Sequence, residues 1–190
     1  MGDKVLLIGS GGREHALEWM LGKSQLIDIL YMSPGNGRKE TERFKNTGIQ
    51  SAKEEFFEAT YNFAREKGIN SIIVGPEAPA ALGIANFFHA RGFENILCPK
   101  KKPSMIEGDK FFSHEINEIL KIPQAFSIKC YNQADAKKAI HEVFNENGGV
   151  IKARGLKEGK GVKVCDTKDE ALHEIDFNYG KYGPELLIAE

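Results

Sequence analysis

The chain has 190 residues, 41% of them hydrophobic and 28% charged, with a net charge of −1. That is enough apolar material for one large domain, or one domain and part of another, and the balance of charge argues against nucleic acid or an anionic membrane as partner. Cys98, Cys130 and Cys165 are too widely spaced for a zinc site or a disulfide scaffold, and no apolar run is long enough to span a bilayer, so a cytoplasmic setting is expected.

The first element is a buried strand, Val5–Ile8, which runs into Gly9-Ser10-Gly11-Gly12 and then a helix from about Arg13 to Leu21. Strand, glycine turn and helix in that order make an anion-binding turn, because unpaired amides and the positive helix end converge there. Gly9 and Gly11 fit the first two glycines of a dinucleotide fingerprint, but Glu14 stands where the third belongs. Arg13, Glu14 and His15 are expected to place charged and titratable groups at the mouth of the turn. The second strand, Ile27–Tyr31, ends in Tyr31-Met32-Ser33 with no acid for ribose hydroxyls, and Asp28 lies too early. A nicotinamide cofactor is therefore disfavoured.

Pro34-Gly35-Asn36-Gly37 follows at a strand end, where ligands of parallel sheets bind, although turn chemistry alone would select the same residues. Lys53–Lys67 reads as a helix with Phe56, Phe57, Tyr61 and Ala64 on one face and Gly68 as its stop. After the strand Ser71–Val74, the run Gly75-Pro76-Glu77-Ala78-Pro79 puts Glu77 at a carboxyl-terminal strand end, either as a ligand group or as a helix N-terminal acid. A helix over Pro79–Arg91 and a strand over Asn95–Cys98 complete a β-α-β-α-β-α-β series. That order predicts an α/β fold with a Rossmann-like parallel sheet in residues 1–102. Lys100-Lys101-Lys102, between two prolines, reads as a solvated interdomain linker.

Residues 103–190 change rhythm. A helix is expected over Asp109–Leu120, a strand near Ala125–Lys129, a helix from about Ala134 to Asn145, strands at Val150–Ala153 and Val162–Cys165, a helix near Lys168–Ile175 and a strand over Glu185–Ala189. Lys152 sits inside an apolar strand, a costly place unless its ammonium reaches water or an anion. Gly155, Gly159 and Gly161, with Lys160, form a hairpin-like loop. It either offers amides and charge to a polyphosphate or is a plain tight hairpin with solvated lysines. It is not a P-loop, since Gly161 follows Gly159-Lys160. Lys110, at the head of a helix, opposes the helix dipole, which a nearby anion would explain. His89, His114, His141 and His173 have no partners at ligand spacing, and no catalytic nucleophile or metal ligand is assigned.

Together these blocks resemble the phosphoribosylamine–glycine ligase (glycinamide ribonucleotide synthetase) family of ATP-grasp enzymes. Gly9–Ala16 is similar to its Gly-Asn-Gly-Gly-Arg-Glu-His-Ala with Ser10 for asparagine, Pro34–Asn36 to its Pro-Gly-Asn, and Val74–Pro79 to its Val-Gly-Pro-Glu-Ala-Pro. Lys110-Phe111, Val150–Ala153 and Gly155–Val162 resemble its ATP-grasp segment. The chain departs at Arg154, where the family usually has aspartate, at Lys157-Glu158, usually two alanines, and at Gly37-Arg38-Lys39, usually Ala-Gly-Thr.

The resemblance implies a Rossmann-like domain in residues 1–102 followed by an incomplete ATP-grasp domain. It also implies an ATP-dependent carbon–nitrogen ligase of purine biosynthesis, joining glycine to 5-phosphoribosylamine through a glycyl phosphate and releasing ADP and phosphate. Gly9, Gly11, Gly12, Arg13 and His15 would hold the ribose phosphate, with Glu77 on the ribose hydroxyls. Lys110, Lys152, Gly155, Gly159, Lys160, Gly161 and Glu190 would bind ATP. Family members continue beyond residue 190, so the chain is expected to be an N-terminal portion, inactive alone, with the Mg2+ ligands in the remainder. A non-catalytic nucleotide- or phosphate-binding module is the rival from another class, and a dinucleotide-dependent oxidoreductase is the weaker one.

Overall fold

The computed structural model describes residues 2–51, 53–157 and 159–189 and divides into two units, Met1–Ser104 and Met105–Glu190. The first unit runs β1 (Asp3–Ile8), α1 (Gly12–Leu21), β2 (Ile27–Ser33), β3 (Phe44–Asn46), a 3-10 turn (Glu54–Phe56), α2 (Phe57–Lys67), β4 (Ser71–Val74), α3 (Glu77–Leu82), α4 (Ile84–His89) and β5 (Ile96–Leu97). All its strand pairs are parallel, in the order β3-β2-β1-β4-β5. The order reverses at β1, so the turns after β1 and β4 flank the crevice where such sheets bind ligands.

β1 is central, and its unbroken apolar run is what a parallel strand covered on both faces requires. Leu6 and Ile8 pack with Phe57, Ile72, Ile84 and Phe88 on the α2 and α4 side. Val5 and Leu7 pack with Leu30, Met32 and Phe44, against Leu17 and Leu21 of α1. On the first side Phe88 makes edge-to-face contacts with Tyr61, Phe87 and Phe93 at centroid distances of 5.5, 5.9 and 5.6 Å.

Three local expectations are corrected. The short edge strand β3 pairs Phe44–Asn46 with Leu30–Met32, and one buried apolar residue in three positions is too little pattern to predict it. The single helix expected over Pro79–Arg91 breaks into α3 and α4 at Gly83, whose φ of +96° lies in the left-handed region. The lysine run does not form an irregular linker: Lys101 and Lys102 open α5 (Lys101–Gly108), with Pro103 in the first turn, where its missing N–H costs nothing.

The second unit contains α6 (Lys110–Leu120), β6 (Ser127–Cys130), α7 (Gln133–Val143), β7 (Gly149–Ala153), β8 (Val162–Cys165), α8 (Lys168–Tyr182) and β9 (Leu186–Ala189). Its sheet is antiparallel, in the order β6-β9-β7-β8. Ile151, Ala153, Leu186 and Ile188 pack against Ile140 and Val143 of α7 and Ile175 and Tyr182 of α8. Strand alternation therefore turns Lys152 and Leu187, which are register partners, to the opposite face. α8 runs a full seven residues beyond its expected end at Ile175, to Tyr182. Tertiary packing overrides Gly180 there, since Tyr182 is buried in the core and the Tyr179 hydroxyl donates to the Pro184 carbonyl at 2.7 Å. No helix among the described residues is long and apolar enough to cross a membrane.

Candidate functional site

In the first unit, the missing third glycine has a structural cause. Glu14 is not at the mouth of the turn, as expected, but buried beneath it at 3% exposure. Its Oε2 accepts from the Gly11 amide at 2.7 Å, and its side chain fills the space that a Cβ at Gly9 or Gly75 would need. Glutamate thus occupies the crevice between the β1 and β4 turns that a small residue would leave open. The Gly9 amide is also engaged, donating to the Ser33 carbonyl at 2.8 Å. Gly9 and Gly11 therefore shape the turn, while Gly11 caps α1 and Gly12 begins it.

Across this crevice Arg13 and Glu77 meet: Arg13 Nη2 donates to Glu77 Oε2 at 2.7 Å. Glu77 is the first residue of α3 and accepts from its own backbone amide. That bond first, and Arg13 second, hold its carboxyl below the usual carboxylate range. Glu77 is the helix N-terminal acid of α3, and it stands at the carboxyl end of β4. His15, on the exposed side of α1, meets Asn36 of the loop after β2, with Asn36 Nδ2 at 3.1 Å from His15 Nδ1. Arg13, His15, Asn36 and Glu77 thus come from the carboxyl ends of three adjacent strands.

Two residues escaped the sequence reading. Glu18, 1% exposed, forms an ion pair with Arg38. The signal was present, because Glu14 and Glu18 are four apart and share a helix face. Meanwhile Trp19 and Met20, at 60% and 57% exposure, lie on the outside. The helix buries acids and exposes apolar residues on part of its surface, the reverse of the usual pattern.

In the second unit, Lys110 and Lys152 line one cleft of about 330 Å³, together with Ser113, His114, Leu187 and Ala189. Asp109 caps α6 by accepting from the Phe111 amide at 2.9 Å, which fixes Lys110 at the first helical position. Lys110 Nζ donates to the Gly155 carbonyl at 2.8 Å, tying the base of the glycine loop to α6. Burial, and then the charges of Lys152 and Lys157, lower the Lys110 pKa. The Asp109 and Glu107 charges act the other way and offset part of that repulsion. Gly159 and Lys160 lie at the exposed tip of the β7–β8 hairpin, and at its base the Ala153 amide donates to the Gly161 carbonyl at 2.7 Å. Lys110 and Lys152 line the cleft and Lys110 reaches Gly155, whereas Gly155, Gly159, Lys160 and Gly161 are not among its lining residues. Glu190 lies outside the described residues.

Arg154, the departure from the family's aspartate, has a clear task. Its Nη2 and Nε reach Asp109 Oδ2 and Oδ1 at 2.6 and 2.9 Å, and its Nη1 reaches Glu185 Oε1 at 2.8 Å. The fork holds the Asp109 carboxyl below the usual range and joins the cap of α6 to the entry of β9. Burial pushes the Cys98, Cys130 and Cys165 thiols up to about 11, 12 and 11, so none is poised as a thiolate nucleophile.

Comparison with known proteins covers both units. A family described as phosphoribosylglycinamide synthetase, N domain, matches residues 3–107, and its ATP-grasp (A) domain matches residues 108–189. A phosphoribosylamine–glycine ligase of Rhodopirellula baltica is 36% identical over 98% of this chain and 44% of that protein. The trifunctional purine biosynthetic protein adenosine-3 of Drosophila pseudoobscura pseudoobscura is 34% identical over 100% of this chain and 14% of its own length. Among solved structures, the phosphoribosylamine–glycine ligase of Thermotoga maritima superposes with a TM-score of 0.73 at 25% identity, over 98% of this chain and 43% of that one. The chain spans less than half the length of these relatives.

Proposed function

The chain belongs to the phosphoribosylglycinamide synthetase family, and from that premise we propose that it carries the phosphoribosylamine site and the first part of the ATP site of an ATP-dependent carbon–nitrogen ligase. The observation that carries this reading is the Lys110–Lys152 cleft bound to the base of the glycine loop. Two lysines in one cleft support reading it as an anion site of the second unit, distinct from the turn after β1 in the first. With polyphosphate assigned there, the turn after β1 is left for the sugar phosphate.

In the domain expected over residues 1–102, Arg13 and His15 donate to the ribose phosphate around the turn shaped by Gly9, Gly11 and Gly12. Glu77, held ionised beside Arg13, accepts from the ribose hydroxyls. In the domain expected over residues 103–190, Lys110 and Lys152 neutralise ATP phosphates, Gly155, Gly159, Lys160 and Gly161 cover them, and Glu190 is assigned to the adenine. The glycine carboxylate takes the γ-phosphoryl group of ATP, releasing ADP. The amine of phosphoribosylamine then attacks the acyl carbon, and phosphate leaves. Such chemistry asks for positioning and charge neutralisation rather than a side-chain nucleophile, which is what lysines and backbone amides provide.

Among the described residues no group of three or more His, Cys, Asp or Glu could hold a metal ion. Mg2+ that accompanies ATP is held by one or two carboxylates together with substrate phosphates, and the lining of the Lys110–Lys152 cleft has no carboxylate among the described residues, so no step is assigned to it. The compartment proposed is the cytoplasm.

The test is binding mapped by amide shifts on this chain. ATP should perturb Lys110, Lys152 and Gly155–Gly161, and Lys152→Ala should weaken ATP at least tenfold. Ribose 5-phosphate should perturb Gly9–His15 and Glu77, and Arg13→Ala should weaken it. ATP perturbing the opening turn instead, or unchanged affinity in Lys152→Ala, would refute the assignment.

A further inference from the structure

A ring of side chains joins α1 to the loop after β2, and it fixes a proton. The Arg38 backbone N–H donates to Asn36 Oδ1 at 3.0 Å, and a backbone amide can only donate, so the orientation of the Asn36 amide is settled. Its Nδ2 therefore faces His15 Nδ1, at 3.1 Å. An amide NH2 also only donates. Nδ1 must accept, and a neutral His15 carries its proton on Nε2. Behind this contact the Arg38 guanidinium is ion-paired to Glu18, which is buried one helical turn beyond His15. Glu18 Oε2, buried and without a hydrogen-bond partner, lies 3.7 Å from His15 Nδ1: too far for a hydrogen bond to the neutral ring, and an ion pair only when the imidazole is protonated.

The geometry points to Glu18 and Arg38 as positioning residues: their ion pair clamps residues 36–38 onto α1, and the clamped Asn36 holds His15 as the Nε2–H tautomer, a ready donor to an anionic oxygen. Arg38 stands in the Gly37-Arg38-Lys39 stretch, where this chain departs from the usual loop of its family. The donor's target, a phosphate oxygen, rests on the sugar-phosphate reading of this turn; the tautomer does not.

The test is a long-range proton–nitrogen correlation spectrum of the whole 15N-labelled chain, recorded after raising the pH until the His15 ring nitrogens stop shifting, so that the neutral ring is observed. His15 Nδ1 should resonate as a pyridine-type nitrogen and Nε2 as a pyrrole-type one. The opposite pattern, or an even mixture, would overturn the proposal. Asn36→Asp replaces the donor by an acceptor and should move the proton to Nδ1. Arg38→Met should leave the two tautomers mixed. The double variant Glu18→Ala/Arg38→Met, which strands no buried carboxylate, should do the same and serves if the single variant does not fold. An unchanged tautomer in the folded variants would overturn the clamp, and Asn36→Asp, on an exposed loop, gives its result independently of them. Added ribose 5-phosphate should shift Nε2. If the tautomer is as expected and saturating ribose 5-phosphate leaves Nε2 unmoved, the sugar-phosphate reading fails and the tautomer assignment stands.

Discussion

Replacing Arg154 by methionine should cost the second unit about 2 kcal/mol. Hydrogen bonds to charged groups are worth ~1.5–3 kcal/mol, and stranding one member of a buried ion pair costs ~3–5 kcal/mol. Two features of this site pull the value to the lower end. The Arg154 and Glu185 side chains are 36% and 34% exposed, so water screens that pair, and Asp109 keeps its bonds from the Phe111 and Phe112 amides. Methionine preserves an apolar stem over the Phe111 ring, which the guanidinium covers at 4.8 Å. For a unit of this size the loss corresponds to a fall of ~8–16 °C in Tm. Urea unfolding followed by circular dichroism, with exchange of the Phe111 and Phe112 amides, would measure it. The pH dependence has a definite sign. The folded Asp109 carboxyl lies below its ordinary value, so its stabilisation is present above that ordinary value and is lost as pH falls through the lowered one. The gap between parent and variant should hold from pH 7 to roughly pH 5 and close in stronger acid. A gap under about 0.5 kcal/mol at pH 7, or one that acid does not narrow, would refute the reasoning.

Other predictions follow from the packing. Gly75→Ala should destabilise the first unit by ~1–3 kcal/mol, because its Cβ meets Glu14, and combining it with Glu14→Ala should recover part of that loss in a double-mutant cycle; strictly additive losses would contradict the shared space. Phe88→Ala should cost ~3–5 kcal/mol by denaturant unfolding, since the ring is fully buried among three other aromatics; a loss below ~1 kcal/mol would mean the cluster is not tightly packed. Lys110 should titrate below the ordinary lysine value of 10.5 when followed by NMR of its side chain, and Lys152→Ala should raise that midpoint by removing a neighbouring charge. An unchanged midpoint in the variant would show that the two ammonium groups do not share the cleft electrostatically.

The chain's own sequence determined a good deal. The apolar run Val5–Ile8 followed by glycines specifies a buried parallel strand and a turn, because only a strand covered on both faces tolerates such a run and only small residues make so tight an exit. Lys152 inside the apolar run Val150–Ala153 likewise marked a side chain that must reach water or an anion, and the strand turns it to the face opposite the core. What these local rules could not supply were relations between residues distant in sequence. Glu14 reads as a surface acid until β4 brings Gly75 beside it, and Arg154 reads as a lost aspartate until Asp109 and Glu185 fold to meet it. The short strand β3, the break at Gly83 and the last turns of α8 belong to the same class, as each depends on neighbours contributed by other elements. Burial and pairing energies arise from three-dimensional proximity, so the turn was legible in the sequence while the carboxylate that fills its crevice was decided only by the tertiary structure.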